Sequence, residues 1–244
     1  MRIVLVRHGE SLGNVDPLAY GRVGDPHIPL TEEGQHQVLA TGDFLASYYQ
    51  AHPMEGRSHP QAVDTSTWMR AVQTEEAATR HLPAGLIRFE RHDSLKEQSF
   101  GILYREHTRC GARLKNILRR AAEEYRNNPF EAIPPQGESP AMHYQRVQVF
   151  IQKLRDDAQL NGITDRLIVA HGATNRHIIT SLLGWPPNAW KHIENQGNGD
   201  VTLLQIGDQG ASLRKIYDGV KRQTVDHNPV LPLPLPVYAG PSIK

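Results

Sequence analysis

The 244-residue sequence predicts an α/β protein of three layers, with helices on both faces of a mainly parallel central sheet and a helical insertion at about residues 102–138. Two observations carry the sheet. Ile3-Val4-Leu5-Val6 and Leu167-Ile168-Val169-Ala170 are apolar runs without polar alternation, as expected of strands buried on both faces. A third observation carries the layers: segments with helical periodicity alternate with the strand candidates along the chain.

Thr31 is placed to cap a helix running to about Ala46, with Val38, Leu39, Gly42 and Leu45 at helical spacing. Ala62-Val63 reads as a short strand, followed by Ser66 and Thr67 as caps of a helix near 68–80. Leu86-Ile87-Arg88-Phe89 is a further strand candidate. Residues 102–128 read as helical and basic: positions 102–126 hold seven Lys/Arg against three Glu. Ser139-Pro140 has the form of an N-cap followed by proline in the first turn, and Val147, Phe150, Ile151, Leu154 and Ala158 give the next helix its apolar stripe. Ile178, Ile179, Leu182 and Leu183 mark a helix stopped by Gly184 and Pro186-Pro187. Val201 to Ile206 and Leu213 to Tyr217 flank Gly207-Asp208-Gln209-Gly210 and read as adjacent strands. The expected organisation is one domain over 1–225 and a proline-rich tail, 226–244, in which Pro229, Pro232, Pro234 and Pro236 favour extended geometry.

Charge argues against bulk attraction to polyanions. There are 27 basic and 26 acidic residues, so neither nucleic acid nor a membrane surface is an expected partner. Cys110 stands alone and excludes an intrachain disulfide, and the Trp68, Trp185 and Trp190 side chains are expected to pack in the core. The opening residues turn charged at Arg7 and Glu10, unlike a signal peptide, and no apolar run reaches membrane-spanning length; the expectation is a soluble, cytoplasmic protein. The apolar tail and strands are compatible with a homodimer.

The two apolar runs end alike, in Arg7-His8-Gly9 and in His171-Gly172. Ligands of open α/β sheets bind at the carboxyl ends of strands, so each histidine is delivered to the ligand face, and glycine next to it lets backbone approach a ligand closely. If the strands are neighbours, the two imidazoles face one another. Arg7 beside His8 suggests an anion, because guanidinium binds phosphate oxygens in bidentate fashion. Arg70, in the first turn of its helix, is a second candidate, since basic residues are unfavourable at that end unless they serve another purpose. The sequence has no Walker loop, no His-Glu-x-x-His and no Cys-x-x-Cys, so no metal or other cofactor is expected.

Arg7-His8-Gly9-Glu10-Ser11, with Asn14 following, resembles the opening motif of the histidine phosphatase superfamily, the phosphoglycerate mutase-like group. Gly21, Leu30-Thr31-Glu32-Glu33-Gly34, the Arg70-Ala71 and Thr74 segment, Leu95-Lys96-Glu97 with Phe100-Gly101, Gly137-Glu138-Ser139 and His171-Gly172 follow in the family's order, over roughly residues 1–206. Asn195-Gln196-Gly197-Asn198 resembles a plant and fungal subgroup.

The resemblance implies a phosphoglycerate mutase-like domain acting on a small phosphorylated substrate. His8 is then the nucleophile and Glu97 the general acid. Arg7, Arg70, His171, Asn14 and Gly172 surround the phosphoryl group, and Ser11 and Gly21 belong to substrate binding. It implies a metal-independent phosphatase of the histidine acid type, hydrolysing phosphomonoesters through a phosphohistidine. The family's mutases carry an insert with tryptophan, lysine–glutamate spacing, an arginine pair and a proline run. Here Arg119-Arg120 and Pro134-Pro135 are present without the tryptophan and the spacing, which favours hydrolysis over the alternative, a mutase-type isomerase. A non-catalytic phosphate-binding or scaffold module is the remaining alternative. The basic 102–126 segment is the candidate lid, selecting substrates with a second anionic group.

Overall fold

The computed structural model describes residues 1–101 and 112–230. In chain order it contains β1 (Arg2–Arg7), α1 (Leu12–Val15), α2 (Ala19–Arg22), α3 (Glu32–Ala51), β2 (Ala62–Ser66), α4 (Met69–Ala78), β3 (Arg88–His92), α5 (Ala112–Asn127), α6 (Pro140–Asn161), β4 (Asp165–Ala170), α7 (Gly172–Leu182), β5 (Val201–Gly207), β6 (Gly210–Asp218) and β7 (Gln223–His227).

The strands form one seven-stranded sheet in the order β3-β2-β4-β1-β5-β6-β7. The first four run parallel; β5, β6 and β7 continue it with antiparallel pairings. Successive side chains of a strand point to opposite faces, and both faces of β1 are apolar. Ile3 and Leu5 pack with α6 residues Phe150, Ile151 and Leu154 and α7 residues Ile178 and Ile179. Val4 and Val6 pack on the other side with Leu45 and Tyr49 of α3 and Ala71 and Ala78 of α4. Helices on both faces therefore close two cores around one sheet, which is why β1 and β4 read as unbroken apolar runs.

Thr31 caps α3 by accepting the Gly34 N–H at 3.0 Å, and the helix extends to Ala51. Ser139 caps α6 by accepting the Met142 N–H at 3.1 Å, with Pro140 in the first turn and Gly162 at φ 63° ending the helix. Two elements differ from expectation. Ser66 and Thr67 do not cap α4: Trp68 occupies the N-cap position, Ser66 Oγ accepts the Trp68 N–H and meets the His171 ring, and Thr67 donates to Asp93. The strand expected at 86–89 begins two residues later at Arg88, because Ala84–Leu86 forms a 3-10 turn that leaves Leu86 exposed.

β7 crosses the domain boundary expected after residue 225: Asp226 and His227 are sheet residues, and Val230 forms a bridge with Ile193. The rest of the proline-rich tail, Cys110 and the first part of the basic 102–126 segment lie outside the described residues. Among the described residues no helix is long and apolar enough to cross a membrane.

Candidate active site

β1 and β4 are neighbours in register, Val6 opposite Val169 and Arg7 opposite Ala170, so the residues that follow, His8 and His171, emerge side by side. The His8 N–H donates to Ala170 O at 3.0 Å and locks the two strand ends together. The rings meet edge to face with centroids 5.1 Å apart.

His8 is buried, and its Nδ1 lies 2.7 Å from Gly9 O. A carbonyl oxygen only accepts, so Nδ1 carries the ring proton and Nε2 keeps its lone pair. Burial, followed by the charges of Arg70 and Arg7, pushes the His8 pKa well below its ordinary value, so the ring is neutral at cellular pH. His171 is pushed down in the same way by burial and then by Arg70. Its Nε2 lies 2.8 Å from Ser66 Oγ, and its Nδ1 is buried without a partner among the described residues.

Arg7 Nη1 donates to Gln196 O, and its Nε is buried, without a partner among the described residues, close over Gly172: a Cβ on that glycine would sit 3.7 Å from the Arg7 Nε and 2.5 Å from Asn195 Oδ1. Gln196 is itself fixed by Thr202 Oγ1 and Asn175. Arg70, in the first turn of α4, is 2% exposed. Its Nη1 donates to Asp25 Oδ1 and Asp25 O, both at 2.9 Å, its guanidinium lies 4.6 Å from the Trp68 ring centroid, and its Nε has no partner among the described residues. Burial raises the Asp25 carboxyl pKa against the opposing charge of Arg70.

Asn14 uses its Oδ1 internally, accepting from the Ser11 N–H and Oγ at 2.9 Å and from Asn198 Nδ2 at 3.1 Å. Among the described residues its amide N–H groups make no hydrogen bond. Ser11 is buried with its hydroxyl on Asn14, so it orients Asn14 from behind. Gly21 is exposed in α2, its N–H donating to Leu18 O, and among the described residues no hydrogen bond joins it to His8 or His171. Glu97 reaches the cluster at the N-terminus of α7: Oε2 accepts the Ala173 N–H at 3.1 Å and Oε1 accepts the Gln98 N–H at 2.9 Å.

Three residues absent from the sequence reading belong to this arrangement. Asp25 holds Arg70. Arg146 holds the backbone around Glu97. Arg176, one turn into α7, stacks on Trp190 at 4.4 Å, donates to Gly172 O, and is pushed below its ordinary pKa by burial, against the charge of Glu97. A charged side chain inside the otherwise enclosed α7 was the available signal for Arg176; Asp25 left none.

The result is a cluster with a bare His8 Nε2 and, among the described residues, unpaired N–H groups on Arg7 and Arg70 and an unpaired ring nitrogen on His171, which suits a tetrahedral oxyanion. The carboxylate–histidine group Asp64, Glu90 and His92 is elsewhere, and its acids are already paired with Arg166, Arg88 and Lys153.

Fold and site together define an α/β protein with a histidine–arginine cluster at the carboxyl ends of β1 and β4. The chain belongs to the histidine phosphatase superfamily (branch 1), whose family model matches residues 3–219. It is 29% identical over 219 residues to the adenosylcobalamin/alpha-ribazole phosphatase of Escherichia coli strain K12, covering 88% of this chain and 94% of that protein. It is 26% identical over 221 residues to the phosphoglycerate mutase-like protein AT74H of Arabidopsis thaliana, covering 86% and 75%. Among solved structures it is similar to the alpha-ribazole phosphatase of Shigella flexneri, with a TM-score of 0.69 and 26% identity over 88% of this chain and 95% of that one.

Proposed function

We propose that the protein hydrolyses phosphomonoesters through a phosphohistidine on His8, without a metal ion. The observation that carries this reading is the His8 Nδ1 contact to Gly9 O, which fixes the tautomer and leaves a neutral Nε2 near the Arg7 and Arg70 N–H groups and the His171 ring nitrogen that have no partner among the described residues. The Nε2 lone pair attacks phosphorus, the bond to the ester oxygen breaks, and Glu97 gives its proton to that oxygen. Water then attacks phospho-His8 while Glu97 takes a proton, which restores free His8 and releases phosphate. Arg7, Arg70 and the Asn14 amide bind the equatorial oxygens, the task that metals perform in other phosphoryl-transfer enzymes. A cavity of about 270 Å³, lined by Tyr20, Asp25, Phe100 and Gln136 among others, adjoins the Asp25 side chain that holds Arg70.

Hydrolysis is favoured over isomerisation by the phosphatases among the relatives and by the mutase-type features that the 105–135 segment lacks. The test is phosphate release from a panel of phosphomonoesters in EDTA, comparing wild type with His8→Ala. Release that survives EDTA and disappears in the variant supports the reading; near-normal turnover by His8→Ala sinks it. Phosphoglycerate isomer exchange without net phosphate release would point to a mutase. Glu97→Gln should lower the rate by about 10²- to 10⁴-fold.

A further inference from the structure

The proposed acid sits on an irregular stretch. After the 3-10 turn Asp93–Leu95 the chain runs to Gly101 without joining the sheet. A carboxyl group that delivers a proton must be held to within about 0.5 Å of its working position. An extended loop does not provide that by itself.

The hold comes from Arg146 on α6. Its Nη1 donates to the carbonyl oxygens of Asp93 (3.3 Å), Ser94 (3.0 Å) and Lys96 (2.9 Å). Its Nη2 donates to the carbonyl of Glu97 itself at 3.2 Å and to Glu138 Oε1 at 2.5 Å. Nε completes the set toward Glu138 Oε2. Glu138 ties the other side of the loop: its Oε1 accepts the Ser99 N–H at 3.1 Å, its N–H donates to Ser99 O at 2.8 Å, and its carbonyl accepts from Gln98 Nε2 at 3.0 Å. Arg146 stands on a fixed base, because Val147, Phe150, Ile151 and Leu154 anchor α6 in the core. One planar, five-donor guanidinium thus collects the carbonyls flanking Glu97, which the three donors of a lysine ammonium do not match.

We infer that Arg146, with Glu138 as its partner, is the positioning residue for Glu97. It sets the direction of the carboxyl group relative to the ester oxygen leaving from the His8 side, while the Ala173 and Gln98 N–H groups bind the carboxyl group itself. The inference rests on the reading of Glu97 as the acid. It also gives Gly137-Glu138-Ser139 a purpose: Ser139 starts α6 and Glu138 orients the arginine eight residues on.

The experiment compares kcat/KM, which reports the steps through phosphoryl transfer, for two esters. One is p-nitrophenyl phosphate, whose leaving group needs no proton; the other is an alkyl phosphate that the wild type hydrolyses. Loss of a general acid harms the alkyl ester far more than the aryl ester. Arg146→Gln and Arg146→Lys are each expected to lose about 10- to 100-fold on the alkyl phosphate and less than about threefold on the aryl phosphate, with native circular dichroism. Equal losses on both esters, or no loss on the alkyl ester, would overturn the inference, because a merely structural lesion has no reason to sense the leaving group. Glu97→Gln, run in parallel, separates the two levels. If it shows the asymmetry and the Arg146 variants do not, the positioning role fails alone; if Glu97→Gln shows none, both fall. Should the Arg146 variants not fold, Glu138→Gln keeps the arginine and the side-chain size, and is expected to show the same asymmetry.

Discussion

The His8 and His171 rings meet at an interplanar angle of 62° with 5.1 Å between centroids, and both are held neutral by burial under the charge of Arg70. Two imidazoles this close disfavour protonation of each other. As the proposed nucleophile, His8 therefore needs no deprotonation before it attacks. Ring-nitrogen NMR is expected to show His8 fixed as the Nδ1–H tautomer, with no titration between about pH 8 and 6. A His8 midpoint near the ordinary value of about 6.5 would contradict the geometry.

Four buried histidines, His8, His143, His171 and His177, have depressed pKa values, that of His177 reaching about 2. The unfolded chain takes up protons near pH 6.5 where the folded one does not, so stability falls as pH drops below that value and is fully present above it. Neither ring nitrogen of His177 has a partner among the described residues, and its ring contacts His143, Tyr144 and Trp190. His177→Phe is expected to flatten the acid decline by about 2 kcal/mol between pH 6.5 and 5, measured by urea unfolding at each pH. An unchanged slope would mean that His177 is protonated in the folded protein.

The guanidinium of Arg166 bridges two carboxylates, Asp64 at 2.6 Å and Asp157 at 2.5 Å, with 1% of its side chain exposed. Replacing it leaves buried Asp64 with only the His92 ring, while Asp157 keeps Lys153 and Arg88, at a cost of about 3 kcal/mol. Arg166 pairs in register with Ile3, at the end of β4 away from His171. Arg166→Met is therefore expected to shift urea unfolding strongly while the folded fraction keeps its turnover number.

The two strand–His–Gly signals were legible because each is local: an apolar run buried on both faces, then a side chain delivered at its end. That β1 and β4 are adjacent depends on the sheet order, which no local pattern encodes. Asp25 lies 45 residues from Arg70 and meets it only through the tertiary fold, and Arg146 finds the Glu97 loop across about 50 residues. Ser66 shows the competition most clearly: its sequence position suits a helix cap, but its hydroxyl lies against the His171 ring. The start of β3 was misplaced because Ile87, which does pack in the core, precedes the ladder, while charged Arg88 and Glu90 lie within it.

Gly34 separates local support of His8 from general stability. A Cβ there would lie 1.9 Å from Glu10 O, and one on Gly9 would lie 2.6 Å from Gly34 O, so the start of α3 and the loop carrying His8 touch backbone to backbone. Glu10 O also accepts the Thr31 N–H at 2.9 Å, which leaves the loop little freedom to move aside. Gly34→Ala must push the Gly9–Glu10 backbone outward, and His8 Nδ1 takes its orientation from Gly9 O. Overpacking of this kind costs about 1–3 kcal/mol. A displacement of about 1 Å at a reacting group can cost about 10²-fold in rate. Urea unfolding and kcat measured on the folded fraction should therefore both fall in Gly34→Ala, whereas Arg166→Met lowers only the first. A Gly34→Ala protein that loses stability but keeps full turnover would show that the loop positions His8 independently of α3.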